Sequence, residues 1–259
     1  MEHTLEQFKK DLYDLGIRPG DTVMMHSSYK SLGGIEGEAE GFFKAFMELL
    51  GPDGTLILPA FSFDSINAQN PVFNREKTPS CVGYLTEYFR TEVKGVIRSL
   101  HATHSCSLLG KRAEELASGH ELDETPVGKN SPIYKLQNIG GKILMLGCST
   151  HHNTSMHGVE ETAEPPYLFD RENKRVDYTL IDGERTIFRP SLRHNFVIGE
   201  NYYVQQYGKV VDLLDETEVT EGKVLDADCV LFSAEAVWKK GKAKLLEDPF
   251  YFVIPTKRA

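Results

Sequence analysis

The sequence predicts a layered α/β fold, on three observations. An amphipathic helical stretch is followed by a short apolar run (residues 22–26), a Ser/Gly-rich loop, a helical stretch and a second apolar run (55–58). That strand–loop–helix–strand order is how layered α/β folds begin. A third apolar run, 143–146, stops at Gly147 as another buried strand would. With 259 residues, 40% hydrophobic and 26% charged, the chain is long enough to bury a sizeable core. It has no low-complexity linker or repeat, so one domain over residues 1–259 is expected.

The first helix is expected over 4–15, where Leu5, Phe8, Leu12 and Leu15 recur at helical spacing. Gly16 ends it, and Pro19-Gly20 turns the chain. After the strand 22–26 and the loop 27–37, a helix over 38–50 closes at Gly51-Pro52 ahead of the strand 55–58. The middle holds a helix over 84–90, a short strand 96–99, a strand 106–110 and a helix 111–118. One or two helical turns (131–137) precede the strand 143–146. In the last third, 178–181 and 185–188 flank Asp182-Gly183, the pattern of a β-hairpin. A helix is expected over 201–214, extended structure over 224–231 and a final helix over 233–247.

Charge narrows the function. There are 29 Lys+Arg against 38 Asp+Glu, a formal −9. That argues against general nucleic-acid binding, which needs a basic face, and suits a cationic partner. No apolar run has the length of a membrane span. The N-terminal stretch is a charged amphipathic helix rather than a signal peptide, so a cytoplasmic location is expected. Cys81, Cys106, Cys148 and Cys229 form no CxxC pair and are expected to be reduced.

Four stretches carry candidate chemistry. The loop from Ser27 through Ser28, Tyr29, Lys30 and Leu32 to Gly33-Gly34 is either a backbone cradle for an anion or a plain β–α connection; it matches no standard nucleotide motif. Residues 98–107 place Arg98, His101, His104 and Ser105 in one segment, either a polar cleft or an exposed polar loop. The 123–132 stretch, with two prolines and Gly128, is a rigid loop. The fourth stretch, 148–161, follows the strand at Gly147, where open α/β sheets bind ligands. Asn153 is a fair N-cap. On the helix it starts, His157 and Glu160 share a face at i, i+3, as a general base and its orienting carboxylate would, with Thr154 one turn earlier. His151, His152 and His157 beside Cys148 match neither HExxH nor a CxxC site, so no metal is expected. Cys148 and Cys106 flank apolar strands, where cysteine is more often a small buried hydrophobe than a nucleophile.

Further pieces fall in a recognisable order. They are His26-Ser27-Ser28 with Leu32-Gly33; Leu50-Gly51-Pro52-Asp53-Gly54-Thr55-Leu56; Ile97-Arg98-Ser99-Leu100-His101 with His104-Ser105; Thr125-Pro126 with Gly128 and Ser131-Pro132; and Gly141 through Gly147. Asn153-Thr154, His157 and Glu160 follow, then Pro166-Tyr167. Over residues 5–252 this resembles the aminoglycoside 3-N-acetyltransferase family. The resemblance implies a three-layer α/β/α sandwich around a mixed β-sheet, with a C-terminal hairpin and helices. It implies direct acetyl transfer from acetyl-CoA to the 3-amino group of a 2-deoxystreptamine aminoglycoside, a small polycationic acceptor, in a monomer or homodimer without metal. His157 would be the general base, Glu160 its orienting partner and Thr154 a hydroxyl donor to the oxyanion or thiolate. Ser27, Ser28, Tyr29, Lys30, Leu32, Gly33, His101, Ser105, Val127, Gly128 and Ser131 would line the CoA channel, with Lys30, Arg98 or Lys129 meeting its phosphates. Asp64, Glu161 and Glu164 are the candidate amine contacts. The chain departs from the family pattern at Ala102, Ser155, Met156 and Gly158. Alternatives are another small-molecule amine as acceptor, or a non-catalytic CoA-binding relative.

Overall fold

The structure, a computed structural model, describes residues 2–170, 172 and 174–257. Helix α1 (Leu5–Leu15) starts where the Thr4 hydroxyl accepts from Gln7 N–H and stops at Gly16. Strand β1 (Thr22–Ser27), helix α2 (Glu38–Leu50) and strand β2 (Thr55–Pro59) follow. Then come β3 (Val72–Asn74), α3 (Tyr84–Glu92), β4 (Ile97–Arg98), β5 (Cys106–Gly110), α4 (Ala113–Ala117), α5 (Pro132–Leu136) and β6 (Lys142–Leu146). Helix α6 (Ser155–Ala163) leads to β7 (Val176–Asp182), β8 (Arg185–Ser191), β9 (Val197–Ile198) and β10 (Asn201–Gln205). The chain continues through β11 (Val219–Val224), β12 (Ala227–Ser233), α7 (Ala234–Glu247) and β13 (Val253–Lys257).

A seven-stranded mixed sheet, in the order β11-β12-β6-β1-β2-β5-β4, divides the helices into two layers. Strands β6, β1 and β2 are parallel, and β12 and β5 flank them antiparallel. These strands read as continuous apolar runs because both faces are covered. Side chains alternate: Val23, Met25, Leu56, Leu58, Leu144 and Leu146 pack with α1, α2 and α3. Met24, Ile57, Ile143 and Met145 pack with α4 to α7. This is the expected three-layer sandwich. Two small sheets stand apart, β3-β7-β8 and β9-β10-β13.

The 201–214 stretch is not one helix. Asn201–Gln205 is strand β10, between β9 and β13, and a 3₁₀ turn spans Tyr207–Leu213. Tyr202, Tyr203 and Val204 favour a pleated surface, and the partner β13 lies about fifty residues further on. The 224–231 stretch is likewise the second half of a hairpin: Val219–Val224 pairs with Ala227–Ser233, and Leu225 at the turn has φ +53°.

Parallel pairing sets the location of the site. The carboxyl ends of β1, β2 and β6 lie along one sheet edge, with Ser27 opposite Leu146. Strand β5 runs the other way, Cys106 opposite Pro59, so residues 101–105 arrive at that same edge. The chain proceeds from β1 to β2 on one side and returns to β6 on the other, the switch point at which such sheets bind ligands.

Candidate active site

The loops after β1 and β6 are fastened to each other. Ser28 N–H donates to Leu146 O at 2.9 Å, and the Ser31 hydroxyl donates to Gly147 O at 2.9 Å. Gly147 has φ +65°, and a Cβ there would lie 2.7 Å from that of Ser31, so glycine is required by conformation and by space. Asn153 is buried and organises the next turn: its Oδ1 accepts from Ser155 N–H at 3.2 Å and the Ser155 hydroxyl at 2.7 Å. Helix α6 starts there and places His157 and Glu160 on one face, as their spacing predicts.

The two do not touch directly. His157 Nδ1 and Glu160 Oε2 are 3.8 Å apart, beyond hydrogen-bond reach. The Tyr207 hydroxyl joins them, 2.6 Å from Glu160 Oε2 and 2.8 Å from His157 Nδ1. It has one hydrogen, which it donates to the carboxylate, so it accepts from His157 Nδ1–H and leaves the Nε2 lone pair free. Tyr167 donates to the other carboxylate oxygen at 2.8 Å. Burial, with Glu160 alongside, pushes both tyrosines above the ordinary phenol range and keeps both protonated.

His157 lies where two cavities meet. The larger, about 680 Å³, is lined by Ser27, Ser28, Tyr29 and Lys30 from one side and by Cys148, His152, Thr154 and Tyr207 from the other. The smaller, about 300 Å³, is lined by Thr103, His104, Pro126, Arg193, His194, Phe196 and Tyr202. His157 and Phe63 line both. The Thr154 hydroxyl is buried without a hydrogen-bond partner among the described residues. An imidazole exposed to two adjoining cavities, with an unpartnered hydroxyl at one of them, is an arrangement that can serve group transfer between two bound molecules.

The remaining sequence-derived residues separate into two groups. Ser27, Ser28, Tyr29 and Lys30 line the larger cavity; Leu32, Gly33, His101, Ser105, Val127, Gly128 and Ser131 line neither. Leu32 is fully buried in the core beside α1 and α2, and Gly33 ends a 3₁₀ turn in the left-handed region. His101 is buried against His120, its Nδ1 accepting from Thr103 and His104 N–H. The Ser105 hydroxyl is taken by Ala60 O and Arg98. Val127 donates its N–H to Glu161, Gly128 packs on Asp123, and Ser131 caps α5. Of the cations proposed for phosphates, Arg98 is buried and donates to Ala60 O and Thr78 O, Lys129 lines neither cavity, and only Lys30 sits at the larger one.

None of the three candidate amine contacts lines either cavity. The Glu161 side chain is 6% exposed, 2.7 Å from His194 Nε2 and accepting from Val127 N–H, and desolvation pushes its carboxyl up to about 7. Asp64 and Glu164 are exposed and line neither cavity. Burial pushes the Cys148 thiol up to about 11 and that of Cys106 further, which removes thiolate character at neutral pH. All four cysteines are free.

No local pattern marks the connecting role of Tyr207, which lies inside the stretch expected to be helical. His194 sits in a loop with no motif around it. Tyr167 belonged to the signature but carried no assigned role.

Residues 24–245 match the sequence model of a family described as aminoglycoside 3-N-acetyltransferase. Aminoglycoside N(3)-acetyltransferase III of Salmonella sp is 30% identical over 261 residues, which cover 91% of this chain and 88% of that protein. The SPbeta prophage-derived aminoglycoside N(3')-acetyltransferase-like protein YokD of Bacillus subtilis is 28% identical, covering 90% and 89%. Among solved structures, AAC-IIIb in its binary complex with CoASH is similar at TM-score 0.83 and 25% identity, over 99% of this chain and 100% of that one. With the fold, the order of motifs and these likenesses in agreement, the chain belongs to the aminoglycoside 3-N-acetyltransferase family and is an acyltransferase.

Proposed function

We propose that this chain is a single-domain cytoplasmic enzyme that transfers acetyl from acetyl-CoA to the 3-amino group of an aminoglycoside, by direct attack without an acyl-enzyme. The observation that carries this reading is His157, with a free Nε2 between two cavities and Nδ1 held through Tyr207 to Glu160. We assign the larger cavity, with Lys30 at its rim, to the donor and the smaller one to the acceptor. As the amine nitrogen bonds to the acetyl carbon, His157 Nε2 takes its proton. The Glu160 charge, relayed by the Tyr207 hydroxyl, stabilises the imidazolium. The carbon–sulfur bond then breaks, and the CoA thiolate leaves and is protonated. Thr154 is the hydroxyl available to the oxyanion or the departing sulfur.

A second reading keeps the donor and changes the acceptor to another small amine. The lining of the smaller cavity favours it: among the described residues it holds Arg193 and three histidines and no carboxylate, a poor match for several ammonium groups. The test is thiol release from acetyl-CoA against a panel of aminoglycosides, with a 3-N-blocked compound as control. Release with the free 3-amine alone supports the first reading. Silence across the panel, with release on other amines, supports the second. His157→Ala is expected to cut turnover by roughly 10²- to 10⁴-fold, the span of a general base, with CoA binding retained. Near-normal turnover in that variant rejects the mechanism.

A further inference from the structure

The fold gathers three histidines that no stretch of sequence links. His104 precedes β5, His157 lies in the first turn of α6, and His194 sits between β8 and β9. One ring nitrogen of each lies within 4.8 Å of one from each of the others. The ring centroids are 4.9 Å apart for His157–His194, 5.5 Å for His104–His194 and 5.9 Å for His104–His157. A tetrahedral metal with bonds of about 2.0–2.1 Å to nitrogen holds imidazole centroids roughly 5 Å apart. The trio lies within about an ångström of that spacing, and its ligand nitrogens, within 4.8 Å of one another, would close to roughly 3.3–3.4 Å on binding.

Each ring also has its second nitrogen fixed from behind. Thr103 Oγ1 is 2.9 Å from His104 Nδ1, the Tyr207 hydroxyl 2.8 Å from His157 Nδ1, and Glu161 Oε1 2.7 Å from His194 Nε2. Outer partners of this kind orient metal-ligating histidines. The nitrogens left over are His104 Nε2, His157 Nε2 and His194 Nδ1, on three rings that line one cavity. Imidazole donors select zinc-class ions over magnesium and calcium, which take oxygen.

We propose that His104, His157 and His194 form a three-nitrogen site for a divalent ion of the zinc class, its fourth position open to the cavity. Occupancy switches acetyl transfer off, because the metal takes the Nε2 lone pair that His157 uses as a base. The inhibition rests on the proposed role of His157; the metal site does not.

The test is titration of the chelator-treated full-length enzyme with Co²⁺ followed by visible absorption, then displacement by Zn²⁺. One Co²⁺ per chain with the bands of a low-coordinate site is expected. Binding should weaken by at least about tenfold in His104→Ala and in His194→Ala, and hold in His3→Ala, whose ring pairs with Asp226 instead. Retained CoA binding certifies the fold of each variant, and His104→Gln and His194→Gln serve if an alanine variant loses it. No cobalt bands in the parent enzyme, or full-strength binding in both single variants, overturns the site. Zn²⁺ should abolish turnover and a chelator restore it; full turnover by zinc-loaded enzyme overturns the switch. If no amine is acetylated at all, the proposed function fails while the cobalt titration still decides the site.

Discussion

At the scale of residues, the relay through Tyr207 makes a prediction that sequence spacing does not. His157 and Glu160 share a helix face, yet the hydroxyl between them carries the contact. Tyr207→Phe keeps the ring packing and removes that link. It is expected to lower turnover by roughly 10- to 100-fold, part of what a general base supplies, while leaving the KM for acetyl-CoA little changed. Tyr167→Phe removes one donor from a carboxylate that Tyr207 still holds, so a smaller loss of turnover is expected. Equal losses in the two variants would reject the relay. Cys148 gives the opposite prediction. Its thiol is held protonated by burial, so Cys148→Ala should stay within about threefold of the parent turnover. Loss of activity with an intact fold would instead point to an acyl-cysteine.

At the scale of elements, helix α6 shows why an unusual residue is present. Gly158 stands where the family pattern has a larger side chain. A Cβ at Gly158 would lie 2.2 Å from the Trp238 ring and 2.6 Å from Val127. The glycine lets α7 press its tryptophan against α6, one residue from His157. Gly158→Ala adds a methyl group to a filled space. It is expected to destabilise the protein by about 1–3 kcal/mol, the usual cost of overpacking, despite the better helix propensity of alanine. Chemical denaturation measures this directly, and a neutral or stabilising result would show that Trp238 can move aside.

At the scale of the whole molecule, buried histidines set the acid limit of stability. Burial lowers His26 to about 3 and His101 to about 4 from the ordinary 6.5, and lowers His120 well below it. The unfolded chain takes up protons on these rings below pH 6.5 while the folded chain does not. Their contribution is therefore complete above pH 6.5 and is lost as pH falls toward 4, at up to about 1.4 kcal/mol per pH unit for each ring. Urea unfolding at pH 7, 6, 5 and 4 should show a steady decline, and His26→Asn should make it shallower. A flat profile across that window would mean that these rings titrate normally in the folded protein.

Local patterns in the chain encode the layers and the edge where chemistry belongs. Buried strands, helix stops at glycine and the i, i+3 pairing of His157 with Glu160 are local patterns, set by periodicities of 2 and 3.6 residues. The ordered motifs carried the family. Tertiary structure alone decided what lies across the cavity. Tyr207 follows β10, a strand held by the distant β13, and bonds Glu160 from across the cavity, while Glu161 meets His194 from another loop. Leu32, His101 and Ser105 belong to the motifs, yet Leu32 packs in the core, His101 accepts from Thr103 and His104 N–H, and the Ser105 hydroxyl bonds Ala60 O and Arg98. The physical reason is that side-chain placement across a cavity depends on contacts between residues far apart in the chain, which no local periodicity encodes.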